Sequence, residues 1–482
     1  MSRSSGVLLH PTSLPGRFGI GEIGAEAFRF ADWLARAGQR IWQVLPLGPT
    51  GYGESPYQLF SAFAGNPSLL SLDRLVERGW LAEDELHTAP NFSDGAVEFE
   101  RVTPWKSRIL RQAFAGFRPD AEFAEFCRKE GWWLDDFARF MALKDANGGV
   151  EWSKWDPQVA AREEDAGYHR FLQFEFFRQW RDLKHYCAGL GIRLMGDVPI
   201  YVAHDSADVW AHPELFRADA VAGVPPDYFS ATGQLWGNPL YRWDRLAAEG
   251  YGWWVERMRA ALGLFDMVRM DHFRGFEAFW EVSAGETTAE NGRWVKGPGA
   301  ELFRALEAAL GRLPLVAENL GVITPEVEAI RGEFGFPGMA VLQFAFGKDP
   351  QAPGFRPHNY VRNLVAYTGT HDNDTAMGWW RSAGGDSTRT SEDVEEEKQR
   401  ARRYLATDGG EINWVMIRAL LGSVADTVLF PMQDVVGVGS EGRMNVPSVA
   451  SGNWRWRVRG EEVTEEAAGR LREMVEVYER VR

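Results

Sequence analysis

The chain has 482 residues, is 45% hydrophobic and 25% charged, and carries a formal net charge of −15. That is the composition of a globular protein long enough for a large core. The acidic balance argues against nucleic acid and anionic membranes as partners and suits a neutral or cationic ligand.

The N-terminus, Met1 to Ser13, holds only Gly6–Leu9 as an apolar run, too short for a secretory signal. No later stretch approaches the roughly 18 apolar residues of a membrane span. A cytoplasmic protein, monomeric or a small homo-oligomer, is expected. The first strand-like run is Gly6–His10, followed by a helical pattern over Ala25–Ala37 and a second run over Ile41–Leu47. A long stretch then shows helical patterns at Trp105–Gly116, Asp135–Ala146 and Asp165–Leu190, rich in Trp and Phe. It reads as an inserted helical subdomain over residues 50–165 within a single catalytic unit spanning 1–482. Cys127 and Cys187 fall in these helical contexts and read as buried thiols, since two cysteines make neither a disulfide framework nor a zinc spacing.

The third run is Ile192–Pro199. After it, residues 201–240 contain GVPPDYFSATGQLWGNP (223–239), dense in Gly, Pro and aromatics. A loop of that length without its own structure is usually functional. A helix over Tyr241–Leu262 leads to the fourth run, Phe265–Asp271. Then come a helix over Glu301–Leu310, a fifth run Leu313–Asn319, and a helix over Pro325–Phe334 opened by Thr324-Pro325. The sixth, seventh and eighth runs are Ala340–Phe346, Leu364–Asp372 and Asp426–Val435. Arg381–Glu397, rich in Gly, Ser and acid, reads as a mobile surface loop. A helix over Thr464–Val481 closes the chain.

Eight apolar runs alternating with helices predict an α/β fold of the (β/α)8 TIM-barrel type, with a large helical insertion between strands two and three and a lid after strand three. Near-continuous apolar runs fit parallel strands buried on both faces, and the competing arrangement is an open doubly wound sheet. In a barrel, chemistry sits at the C-terminal strand ends. Four of these ends carry a carboxylate: Asp197, Asp271, Glu318 and Asp372. Gathering like charges is unfavourable unless metal binding or acid/base chemistry requires it. His272 and His371 each adjoin an Asp, but neighbours in a strand face opposite ways and make poor joint ligands. Glycosyl transfer through paired carboxylates is the better fit. Arg269 and Asp271, two apart, share a face, so the guanidinium keeps Asp271 ionised as a nucleophile requires. Glu318 follows Leu315-Val316-Ala317, where burial raises its pKa toward that of a general acid. The 21 tryptophans also suit stacking on sugar rings.

The motifs LLHPTSLPG (8–16), WQVLPLGPTGYGESPYQ (42–58), SAFAGNP (61–67), GDVPIYVAHDSADVW (196–210), VRMDHFRGF (268–276), VAENLG (316–321), TGTHDND (368–374) and SGNWRWR (451–457) together resemble the amylomaltases, the 4-α-glucanotransferases of glycoside hydrolase family 77 in the α-amylase clan. The resemblance implies retaining disproportionation of α-1,4-glucans, with an α-amylase-like hydrolase as the alternative. It also implies Asp271 as nucleophile with Arg269 beside it, Glu318 as acid/base and Asp372 as transition-state stabiliser. By motif, Tyr57, Asp197, Tyr228, Phe229, Trp236, His272, Asn319, His371 and Asn445 are expected to contact substrate, and Tyr52 to belong to a second, remote glucan site. Neither cofactor nor metal is implied. Two departures stand out: Asn319 occupies a position where Asp is frequent, and Val446 one where an aromatic is.

Overall fold

In a computed structural model of the chain, residues 3–226, 230, 232–383, 390–447 and 449–480 are described. Their strands, in chain order, are Ser4–Leu8 (β1), Ile41–Gln43 (β2), Arg193–Val198 (β3), Phe216–Val224 (β4), Gln234–Tyr241 (β5), Met267–Met270 (β6), Ala278–Ser283 (β7), Arg293–Lys296 (β8), Leu315–Ala317 (β9), Gly338–Val341 (β10), Leu364–Tyr367 (β11) and Thr427–Pro431 (β12).

Eight of them form one parallel sheet in the order β10-β11-β12-β1-β2-β3-β6-β9. The two ends meet where Ala317 N–H donates to the Pro337 carbonyl at 2.9 Å. Asn319 reinforces this seam: its Oδ1 accepts from Met339 N–H at 2.7 Å and its Nδ2 donates to Glu328 at 2.8 Å. Gly338 belongs at the seam because a Cβ there would lie 2.8 Å from the Asn319 amide. The result is the predicted barrel. Its interior is filled by inward side chains of successive strands, Ile41, Met195, Met267, Val316, Met339, Val341, Val365, Tyr367 and Leu429. A larger apolar layer lies outside the strands and runs without a break into Leu69, Leu72, Leu75, Trp105 and Ile109 of the segment between β2 and β3. That segment is helical at Phe99–Gly116, Ala121–Ala146 and Glu163–Gly189. No helix among the described residues is long and apolar enough to cross a membrane.

Four features differ from the sequence reading. Residues 201–240 are not a plain loop: they form a helix at Ala207–Ala211 and the strands β4 and β5, which join β7 and β8 in an antiparallel sheet of order β5-β4-β7-β8. The helix expected over Tyr241–Leu262 is two helices, Trp243–Ala248 and Gly252–Leu264, because Gly250 and Tyr251 both adopt positive φ between them. Arg381–Glu397 is helical from Ser391, where Thr390 forms a capping box with Asp393. Cys187 is buried, whereas Cys127 is only half-buried.

Candidate active site

The four strand-end carboxylates face one mouth, and Arg269 ties two of them together. Its guanidinium reaches Asp197 Oδ2 at 2.6 Å and Asp271 Oδ1 at 2.9 Å. Arg269 is 4% exposed and Asp197 2% exposed, so this is a buried charge network. Burial and the nearby Asp271 raise the Asp197 pKa against the pull of Arg269. Asp197 Oδ2 also accepts from the Tyr57 hydroxyl at 2.9 Å, while its Oδ1 is buried without a hydrogen-bond partner.

Glu318 sits directly after β9. Its Oε2 accepts from His272 N–H and its Oε1 from Leu320 N–H, both at 2.8 Å. The first bond requires His272 to adopt left-handed backbone geometry, φ +49°, immediately after Asp271. Such strain in a non-glycine residue is held by its surroundings and concentrates at working sites. Burial, aided by Asp271 and opposed by Arg269 and the two N–H groups, lifts Glu318 to about 7. Burial also lowers the His272 imidazole to about 4, so the ring is neutral.

The third part of the mouth is the turn after β11. Because β11 ends at Tyr367, His371 and Asp372 lie in a turn and not a strand, and the opposite-face expectation fails there: His371 Nε2 is 3.4 Å from Asp372 Oδ2. Partial desolvation opposes ionisation of the half-exposed Asp372, but His371, the Asn445 amide and Arg269 overcome it and hold the carboxyl well below the usual range. Burial likewise opposes charge on His371, and Asp372 outweighs it, raising the imidazole. Asn445 Nδ2 donates to Asp372 Oδ1 at 2.7 Å, and its own N–H donates to the His371 carbonyl at 3.1 Å. The Tyr57 ring stacks on His371 with centroids 5.0 Å apart.

Trp236, in β5, makes a T-shaped contact with the His272 ring at 4.7 Å, which brings the antiparallel sheet against the Asp271 turn. Asn319 does not join the cluster, because its amide is engaged at the barrel seam with Met339 and Glu328. Tyr52 stands on the surface, 75% exposed. Tyr228 and Phe229 lie outside the described residues.

Three residues that belong to this site were not singled out from sequence. Trp454, at φ +65°, packs within 5.9 Å of both Tyr57 and His371. His10, two residues past β1, is buried and is lowered to about 3 by burial and by the proximity of His371. Asp434, 1% exposed, accepts from Ala376 N–H at 2.7 Å and from the Thr368 hydroxyl, clasping both ends of the turn that bears His371 and Asp372. The polar-strand-end rule covers His10 and Asp434. Nothing in SGNWRWR announced the backbone geometry of Trp454.

A parallel eight-stranded barrel with four carboxylates and a buried arginine at its C-terminal mouth defines an α/β-barrel enzyme of acid/base chemistry. Residues 9–464 match the 4-alpha-glucanotransferase family. The chain is 51% identical to a 4-alpha-glucanotransferase of Synechocystis sp. over 99% of its length and 98% of that protein's. It is 50% identical to one of Thermus thermophilus over the full length of both. Its structure overlays the amylomaltase from Streptococcus agalactiae in complex with acarbose with a TM-score of 0.93, at 38% identity and 99% coverage of each chain. The chain belongs to the 4-α-glucanotransferase family.

Proposed function

We propose that this enzyme moves α-1,4-glucan segments from a donor maltooligosaccharide or amylose to the 4-hydroxyl of an acceptor by a retaining double displacement, in the cytoplasm and without cofactor. Asp271 attacks C1 of the donor glucose. Glu318 protonates the departing glycosidic oxygen, and a covalent glycosyl–enzyme forms. Glu318, now a base, deprotonates the acceptor hydroxyl, which attacks C1 and regenerates the α bond with net retention. The observation that carries this reading is the division of labour between the two carboxyls. Asp271 is ion-paired with the buried Arg269 guanidinium at 2.9 Å, while Glu318, within electrostatic reach of Asp271, is raised to about 7 by burial.

Asp372 is held ionised by His371 and Asn445 and serves the positive charge that develops on the ring. Tyr57, Asp197, His272 and His371 line the mouth as contacts for the donor glucose. Trp236 belongs to the lid on the acceptor side, and the motif offers Tyr228 and Phe229 as acceptor contacts. The acarbose bound to the Streptococcus agalactiae amylomaltase supports an α-glucan ligand for this mouth. Transfer must outcompete abundant water, and an acceptor held in place by the lid gains the effective concentration that this demands. Incubating the Asp271→Asn variant with maltotriose tests the scheme: transfer and hydrolysis both fall to background, whereas retention of most transfer activity removes Asp271 from the role.

A further inference from the structure

In VRMDHFRGF, Arg274 takes no part in the carboxylate cluster, yet it is only 6% exposed. It sits in the short turn Phe273–Phe276 that follows His272. Its Nη1 donates to the Val322 carbonyl, in the loop that leaves Glu318. Its guanidinium carbon lies over the Trp294 ring, 3.7 Å from the centroid. The nearby Glu277 carboxylate adds electrostatic support, and together with the aromatic face and the carbonyl it holds this buried cation in place.

Trp294 belongs to β8, and the end of β8 is strapped to the same turn. Gly297 N–H donates to Glu277 O and Gly299 N–H to Phe276 O, both at 2.8 Å. Residue 297 must be glycine for this approach, because a Cβ would lie 2.4 Å from Phe276 O. Lys296 pairs with Glu277. From β8 the sheet continues through β7 and β4 to β5, which returns Trp236 to the ring of His272. Glu318 closes the other side, since its Oε2 accepts from His272 N–H and its carbonyl from Phe273 N–H at 3.1 Å.

We infer that Arg274 is a positioning residue that locks the Glu318 loop to the Asp271–His272 turn and couples both to the antiparallel sheet carrying the lid, so that the seating of the lid sheet sets the placement of the acid/base. This rests on the assignment of Glu318 given above. The contacts of Arg274 with Val322 and Trp294 lie outside the four strand-end carboxylates. Arg274 acts through Val322 on one side and Trp294 on the other.

The groups facing Glu318 are Arg269, Asp271 and the N–H groups of His272 and Leu320. If Arg274 fixes that enclosure, loosening it lets water in and moves the alkaline limb of kcat/KM toward lower pH. The experiment compares Arg274→Met, Arg274→Lys and Trp294→Leu with wild type on maltotriose, across pH. Trp294 is 42% exposed, so its replacement leaves the fold largely undisturbed. Arg274→Met is expected to lower kcat by about 10- to 100-fold with little change in KM, and to shift the limb downward. Trp294→Leu shifts the limb in the same direction by less, and Arg274→Lys, which can still reach the Val322 carbonyl, recovers part of kcat. Variants that lose only thermal stability, with kcat per folded molecule and the limb unchanged, overturn the inference. Should Arg274→Met fail to fold, an unmoved limb in Trp294→Leu overturns it alone. A Glu318→Gln enzyme that keeps transfer activity would instead sink the acid/base assignment, which separates the two failures.

Discussion

Glu318→Gln should separate stability from activity in a pH-dependent way. In the folded enzyme the Glu318 carboxyl is raised to about 7, chiefly by burial. In the unfolded chain it titrates near its ordinary value of about 4.3. Below that value both states hold the proton and nothing is lost. As pH rises toward 7 the unfolded state releases its proton first, so the wild-type fold is progressively destabilised, and the loss levels off above 7. At about 1.36 kcal/mol per unit the full penalty is about 4 kcal/mol, of which about 2 to 3 kcal/mol falls between pH 5 and pH 8. A glutamine cannot ionise and escapes this term. Its Nε2 faces an N–H where the carboxylate accepted one, which costs about 1 to 3 kcal/mol at every pH. The pH-independent part cancels when the variant is compared with wild type at two pH values. Unfolding entropy of roughly 2.1 cal/mol/K per residue over a chain of 482 residues makes about 1 kcal/mol worth about 1 °C in Tm. The gap between variant and wild type should therefore move in favour of the variant by about 2 to 3 °C from pH 5 to pH 8, while transfer activity disappears. Calorimetric melts at the two pH values read this directly. A gap that stays constant to within about half a degree would refute a buried, raised carboxyl at residue 318.

The same pKa sets the wild-type rate profile: kcat/KM for maltotriose should fall on the alkaline side with a midpoint near 7, and a profile flat to pH 9 would contradict Glu318 as the proton donor. Asn445→Ala removes the 2.7 Å bond to Asp372 and should lower kcat by about tenfold, with Asp372 titrating higher and the acidic limb moving up; an unchanged limb would count against Asn445 as the support of Asp372. Trp236→Ala breaks the packing of the lid sheet on His272 and should raise the share of hydrolysis in the products of maltotriose, measured as reducing ends gained per glucose released. Asp434→Asn weakens the clasp on the 368–376 turn and should reduce kcat more than it changes KM, which steady-state kinetics distinguishes.

The barrel was legible because its strands are buried on both faces. Runs such as Leu315–Ala317 and Thr427–Pro431 carry no exposed residue and stand out in the sequence as unbroken apolar stretches. The antiparallel sheet was not legible. In β4, Arg217 and Asp219 interrupt the apolar positions, and β8 is almost wholly exposed, so neither apolar continuity nor a clean alternation marks them. The carboxylates followed from their places at strand ends. Contacts between loops did not, because Arg274 finds Val322 and Trp294 only once three segments have packed. Nor did the bonds of Asn319 to Met339 and Glu328, which depend on how the barrel closes.

That closure has a consequence for motion. Between β9 and β10 the barrel is joined by the Ala317–Pro337 backbone bond and by the Asn319 side chain, where neighbouring strand pairs elsewhere share a continuous ladder. A joint held partly by a rotatable amide opens at lower free energy than a laddered one. Amide protons flanking this joint should therefore exchange with solvent ahead of those in β1, β2 and β12. The softest line in the barrel wall thus runs beside Glu318, the carboxyl that must give its proton to one sugar and take it from the next.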